Sequence, residues 1–200
     1  MELVLASSNR GKLAEMAALL APLAVTVRSP ADFPGWPEIA ETGATFAENA
    51  VLKAEAGCAF SGLPTVADDS GLEVEALGGA PGIYSARYAG TQGDAAANNA
   101  LLLRNLQGVP WEKRGARFVC AVAFVAAPGA EAKVFVGETR GRVLEAPRGA
   151  EGFGYDPLFL SDDLRCSFAE ADAAAKNRVS HRGRALSQLT AYLKTMGERA

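Results

Sequence analysis

Short apolar runs of the buried-strand kind alternate along this chain with helical patterns, and that alternation admits few folds. Leu3-Val4-Leu5-Ala6 is the first such run. It breaks at Ser7-Ser8-Asn9-Arg10-Gly11-Lys12, after which Leu13, Met16, Ala17, Leu19 and Leu20 recur at helical spacing. Ala24 to Val27 reads as a second strand, and residues 29–44, with Pro30, Pro34 and Pro37, as an ordered surface loop. Thr45-Phe-Ala-Glu48 is a capping box, which predicts a helix from there to about Phe60. Thr65-Val66-Ala67 is the next strand, stopped by Asp68-Asp69-Ser70-Gly71. A Gly/Pro-rich loop, Gly78 to Gly82, precedes a helix from about Asp94 to Leu106.

Arg117 to Val125 and Lys133 to Glu138 flank the turn signal Pro128-Gly129, which predicts an antiparallel hairpin extended by Arg142 to Leu144. Gly149 to Asp156 is a second glycine-rich loop. Ser167-Phe-Ala-Glu170 is another capping box, and Ala185, Leu186, Leu189, Tyr192 and Leu193 mark the buried stripe of a helix starting near Ser180. Strands alternating with helices, plus one hairpin, give an α/β fold with a mixed sheet flanked by helices. With no repeat or linker, residues 1–200 read as a single domain. A hydrophobic content of 49% suffices for one sizeable core or two lobes sharing it.

Composition narrows the chemistry. A net charge of −3 gives no overall pull toward nucleic acid, so an anionic ligand needs a local cluster of donors. The one histidine, His181, excludes a histidine-rich zinc site, and a bound metal would take carboxylates, which suits Mg²⁺. Cys58, Cys120 and Cys166 form no CxxC pair and read as reduced thiols. The N-terminus has an acid, Glu2, where a signal peptide wants a base, and the longest apolar run, Phe118 to Ala127, is ten residues. The expectation is a cytoplasmic protein with no membrane partner.

Five places look chemical. The strand–loop–helix at Ser7, Ser8, Asn9, Arg10, Gly11 and Lys12 aims backbone N–H groups and a helix N-terminus at an anion, with Lys12 as a point charge. It lacks Walker spacing, and an ordinary capped turn would look the same. Asp68 and Asp69 follow a buried strand, and such strand ends collect ligand groups. Adjacent strand residues face opposite ways, so one of the two faces the site; Asp69 is favoured because the chain has left the strand there. A polar turn is the plain alternative. Thr45, Asn49 and Lys53 share one helix face, as a ligand-facing or a solvated stripe, with Glu41 upstream as a second metal ligand. Phe153, Gly154, Tyr155 and Asp156 combine close backbone approach, stacking rings and an acceptor; core packing competes for one of the rings. Lys176, Arg178, Arg182 and Arg184 make the most basic segment, which is either a solvated face or, with His181, a recogniser of carbonyl oxygens or phosphates.

Taken in order, Ser7-Ser-Asn-x-Gly-Lys12, Glu41-Thr-Gly-x-Thr-Phe-x-Glu-Asn49-x-x-x-Lys53, Ala67-Asp-Asp-Ser-Gly-Leu72, Gly78-Gly-x-Pro-Gly-x-Tyr-Ser-Ala-Arg-Tyr88, Phe153-Gly-Tyr-Asp-Pro157 and Ser180-His-Arg182 resemble the inosine triphosphate pyrophosphatase family from residue 3 to about 193. Those enzymes hydrolyse dITP, ITP and XTP. The resemblance implies an elongated α/β fold with a long mixed sheet, a cleft between two lobes, Mg²⁺ dependence and a homodimer acting on purine nucleoside triphosphates. By motif, Ser7 to Lys12 would hold the triphosphate, Glu41 and Asp69 the magnesium, and Asp69 also the attacking water. Lys53 and Ser70 would touch phosphate, Phe153 to Asp156 the base, and Lys176, His181 and Arg182 would complete base recognition. Arginine only donates, so Arg182 on the purine edge would reward a 6-oxo group over adenine's 6-amino group. The family more often opens its first loop with threonine; Ser7 keeps the hydroxyl. Septum-formation-inhibitor pyrophosphatases share the opening motif but not Phe153 to Asp156 or Ser180 to Arg182. A non-hydrolytic nucleotide sensor on the same scaffold is the alternative of a different class.

Overall fold

The computed structural model describes residues 2–23 and 25–197. Six strands form one mixed sheet in the order β2-β1-β3-β4-β5-β6: β1 Glu2–Leu5, β2 Thr26–Arg28, β3 Thr65–Val74, β4 Gly115–Val125, β5 Lys133–Val143 and β6 Phe159–Ser161. Among the described residues, five α-helices accompany it: α1 Arg10–Leu20, α2 Phe46–Ser61, α3 Ala95–Asn105, α4 Ala173–Val179 and α5 His181–Gly197. The α/β mixed-sheet expectation therefore holds. β1 runs parallel to both β2 and β3, in the registers Leu3↔Val27 and Leu5↔Val66. Parallel neighbours need a crossover, and α1 and α2 supply the two. Of the second predicted strand, Ala24 lies outside the described residues, and the strand itself begins at Thr26.

The helices begin where local chemistry allows. Asn9 caps α1 by accepting from the Lys12 N–H at 3.1 Å. Thr45 caps α2 by accepting from the Glu48 N–H at 3.1 Å, and Gly62, at φ 70°, closes that helix in the left-handed region that favours glycine. Asp94 caps α3.

Two expectations need correction, and a third, the second capping box, holds without opening a helix. The turn at Pro128-Gly129 joins β4 to its neighbour β5, a link too short for a parallel crossover, but β5 is one strand through Val143 rather than two pieces. Ser167 and Glu170 do form a reciprocal box, Ser167 N–H to Glu170 Oε2 at 2.8 Å and Glu170 N–H to Ser167 Oγ at 3.1 Å. That box closes a turn beside the Leu160–Ser167 bridge, and the helix starts later at Ala173, capped by Asp172. Asp68 to Gly71 do not stop the third strand: β3 runs on to Val74. Acids end a strand when water must solvate them, and here the half-buried Lys12 and Lys53 and the buried Arg182 take water's place.

Two compact units share the chain. One comprises residues up to Asp69, Cys120–Gly137 and the chain from Arg182; the other comprises Ser70–Val119 and Glu138–His181. The chain passes from one unit to the other within β3, β4 and β5 and after the first residue of α5. Each unit has its own core. Leu3, Leu5, Met16, Leu20, Val122 and Leu186 are among the buried residues of the first; Leu72, Leu102, Phe118, Leu158, Phe159 and Phe168 are among those of the second. The α5 stripe contributes Ala185, Leu186, Leu189 and Leu193 to the first core, as its spacing predicts.

Candidate active site

In the first unit, β3 delivers two charged groups, Asp68 and Asp69, to the residues around α1 and α2. Asp68, with its side chain fully buried, meets Lys12 Nζ at 3.0 Å and Arg182 through Nε at 3.3 Å and Nη2 at 3.1 Å. Arg182 also donates from Nη1 to Glu15. Burial alone would push the Asp68 carboxyl up; the charges of Lys12, Arg182 and Lys53 outweigh it and hold it well below the ordinary carboxylate range. Burial works against the Arg182 cation too, and Asp68 and Glu15 reverse the effect, so its pKa is raised. Nearby, burial foremost, with the Asp68 charge, pushes the Cys120 thiol up to about 12.

The other aspartate makes a second set of contacts. Asp69 Oδ1 lies 3.3 Å from Lys53 Nζ, whose ammonium is 2.9 Å from Glu41 Oε1. Asp69 Oδ2 accepts from Asn49 Nδ2 at 3.1 Å. Lys53 thus joins two carboxylates. Burial raises the Asp69 pKa despite Lys53 and Lys12, and Glu41 raises it further. Burial lowers that of Lys53 less than Asp69, Asp68 and Glu41 together raise it.

These residues fit a hard cation. Glu41 and Asp69 converge on one positive charge and repel each other without it. No group of three or more His, Cys, Asp or Glu placed to hold a metal occurs among the described residues. Two carboxylates are what Mg²⁺ takes when waters and substrate phosphates complete its shell.

The remaining residues of the opening loop are accessible. Ser8, Asn9 and Arg10 are exposed, Ser7 and Gly11 half-buried, and Ser7 Oγ accepts from the Asn9 N–H at 3.3 Å. Arg10 opens α1, so its N–H and that of Gly11 belong to the first helical turn, which has no intrahelical acceptors for them.

The second unit holds a different cluster. Asp156 Oδ2, on a buried residue, accepts from Lys176 Nζ at 2.6 Å and from the Phe153 N–H at 2.8 Å. The Lys176 ammonium lies 4.9 Å from the Phe153 ring centroid and 5.7 Å from that of Phe168. His181 is buried and stacks on Phe118, centroids 4.7 Å apart and planes 10° apart. Gly154 accepts at its carbonyl from Asn99 Nδ2 at 3.0 Å. Ser70, half-buried, follows Asp69 in β3 and opens this unit.

Two residues sit differently from their expected roles. Tyr155 belongs to the second core, its hydroxyl donating to the Ser85 carbonyl at 2.8 Å, so Phe153 is the ring left for stacking. Arg182, expected at a purine edge, is 2% exposed and has all three of its nitrogens on the carboxylates of Asp68 and Glu15. The basic segment is accordingly split: Lys176 and Arg182 are buried, while Arg178 and Arg184 form the solvated face.

Sequence reasoning preferred Asp69 to Asp68 and passed over Glu15. Lys12 and Glu15, three apart on α1, share a face, which is a weak signal; the partner that gives Glu15 its meaning lies 167 residues away.

Comparison with known proteins adds a lineage to this geometry. The Ham1 family matches residues 3–192. A dITP/XTP pyrophosphatase of Geobacter sulfurreducens is 50% identical over 195 residues, covering 98% of each chain. One of Geobacillus kaustophilus is 53% identical over 188 residues, covering 94% of this chain and 92% of its own. The solved structure of a HAM1 protein from Coxiella burnetii superposes with a TM-score of 0.88 at 41% identity, covering 98% of this chain and 99% of that one.

Proposed function

The chain belongs to the Ham1 family, and we propose that it hydrolyses non-standard purine nucleoside triphosphates (dITP, ITP and XTP) to the monophosphate and pyrophosphate, cleansing the nucleotide pool. The observation that carries this reading is the Lys53 ammonium held between Glu41 and Asp69. A cation between two acids, beside a helix that opens with Arg10, Gly11 and Lys12, suits a magnesium-bound polyanion.

Glu41 and Asp69 are the residues that would hold Mg²⁺, which when bound neutralises charge on the phosphoryl oxygens. The first-turn N–H groups of α1 and the Lys12 ammonium bind phosphate. Lys12 is available for this because Arg182 also holds Asp68, so the buried carboxylate keeps a partner when Lys12 turns to substrate. Lys53 and Ser70 complete the phosphate contacts. Asp69 accepts the proton of the water that attacks the α-phosphorus. Its raised pKa makes it a stronger base than an exposed aspartate. Charge then develops on the departing pyrophosphate, where fixed donors stabilise it with little reorganisation.

The base-recognition residues in this reading are Phe153, Asp156, Lys176 and His181. Phe153 stacks on the purine, a contact worth about 1–3 kcal/mol in single-strand binders. Asp156 accepts from ring N–H, while Lys176 and His181 face the carbonyl oxygens. An ammonium only donates, so a 6-amino group opposite Lys176 leaves a donor unpaired, at a cost of about 1–3 kcal/mol. The same reading includes a homodimer, on family resemblance, and a cytoplasmic setting, which three free thiols suit.

Incubating the purified protein with Mg²⁺ and ITP, dITP, XTP, GTP or ATP, with added inorganic pyrophosphatase to report release, tests the proposal. Phosphate should appear only when the second enzyme is present, and fastest with the inosine and xanthosine substrates. Direct release of orthophosphate, or tight ITP binding without turnover, would contradict it.

A further inference from the structure

One buried side chain links the Glu41 loop to Asp69. Asn49, in the first turns of α2, has no exposed surface. Its Oδ1 accepts from the Gly43 N–H at 2.8 Å, and its Nδ2 donates to Asp69 Oδ2 at 3.1 Å. The amide can be oriented only one way, because a backbone N–H needs an acceptor and a carboxylate needs a donor. The next amide along, the Ala44 N–H, donates to Glu48 Oε2 at 2.6 Å. Consecutive amides just after Glu41 are therefore gripped by consecutive side chains of α2. Gly43 suits this grip: a Cβ there would lie 2.7 Å from Glu48 Cβ and 2.8 Å from Asn49 Oδ1. With Oδ2 of Asp69 occupied by Asn49, Oδ1 is turned toward Lys53, which also holds Glu41.

We propose that Asn49 is a positioning residue that sets the separation of Glu41 and Asp69 and the rotation of the Asp69 carboxylate, so that both acids present oxygens to one divalent cation. It touches neither substrate nor reacting atoms. The inference rests on the assignment of Glu41 and Asp69 as the metal-holding pair and names what pre-organises them. Groups that orient metal ligands typically change metal affinity or activity by about 10- to 100-fold when removed. An apolar residue of the same size is no substitute, since it would leave the Gly43 N–H and Asp69 Oδ2 without partners.

The test uses the full chain with Mn²⁺ as the probe, in the variants Asn49→Ala, Gly43→Ala and Asp69→Asn. Calorimetric Mn²⁺ titration without nucleotide should show affinity reduced about 10- to 100-fold in Asn49→Ala. For ITP, kcat should fall by a similar factor while KM stays within about threefold, because the phosphate and base contacts are untouched. Hydrogen exchange at the Gly43 amide should accelerate in Asn49→Ala, a readout that requires no catalysis. Gly43→Ala displaces the loop while keeping Asn49, and should reproduce the loss of Mn²⁺ affinity in a folded protein even where Asn49→Ala fails to fold. Mn²⁺ affinity and kcat within twofold of the parent in a folded variant, with Asp69→Asn inactive, overturn the role of Asn49 alone. An Asp69→Asn variant of full activity overturns the functional reading and this inference with it.

Discussion

Arg182 donates to Asp68 from two nitrogens, Nε at 3.3 Å and Nη2 at 3.1 Å, across a sequence separation of 114 residues. This pairing ties the start of α5 to β3. It places the arginine among carboxylates, and its first consequence is for stability.

Removing one member of a buried ion pair leaves the other charge uncompensated, at a cost of about 3–5 kcal/mol. Lys12 remains with Asp68, so Arg182→Ala should cost toward the lower end, about 3 kcal/mol, in urea unfolding monitored by circular dichroism. A loss under 1 kcal/mol would show that the network does not hold the fold.

The two aspartates give opposite pH dependences. Asp68 has a folded pKa below the ordinary 3.8, so its contribution to stability is fully present above that value and is lost as pH falls through the folded pKa. Asp69 has a folded pKa above 3.8, so its contribution is present below that value and is lost as pH rises through the folded pKa. Arg182→Ala, by relaxing Asp68, should flatten the fall in stability between about pH 4 and 2. Stability curves of parent and variant that run parallel there would contradict the assignment.

Asp69→Asn removes a carboxylate whose burial is incompletely offset. The variant should unfold at pH 7 no more easily than the parent, while ITP turnover drops by about 10³-fold or more, the scale of losing a positioned base together with a cation ligand. Near-parental turnover would take Asp69 out of the chemistry.

Lys176→Met keeps the aliphatic volume beside Phe153 and removes the donor. The ratio of kcat/KM for ITP over ATP should fall about 5- to 150-fold, equivalent to about 1–3 kcal/mol. An unchanged ratio would place keto recognition on another group.

Thiol reactivity follows burial. Cys58 and Cys120 are buried, and the Cys120 thiol, pushed up to about 12, carries almost no thiolate at pH 8. Ellman's reagent should therefore label the half-buried Cys166 alone in the native protein, and all three in denaturant. Rapid native labelling of Cys120, read by peptide mass, would contradict the buried network around Asp68.

Much of this was legible in residue order. Apolar runs marked β1 and β3, Thr45 marked the start of α2, and the Leu186, Leu189 and Leu193 spacing marked the buried face of α5. Each depends on neighbours within a few residues. Asp68 and Asp69 were misread as a strand end because a pair of acids looks like a water-facing turn until Lys12, Lys53 and Arg182 are known to surround them. The partners of Arg182 were hidden for the same reason: its motif gives its chemistry, and only tertiary packing gives the carboxylates it meets. Ser167 and Glu170 made the bonds their pattern foretells and still began no helix, since a capping box closes a turn whether or not helix-forming residues follow at once.

Lys53 between Glu41 and Asp69 has a practical corollary. A protein carrying its own counter-ion needs no mineral supplement to keep its acids from flying apart, so on the proposed reading a chelator should silence the enzyme while leaving its melting temperature nearly unchanged. Depletion of divalent ions in a cell would then idle the protein in a folded reserve, ready to resume work as soon as the ion returns.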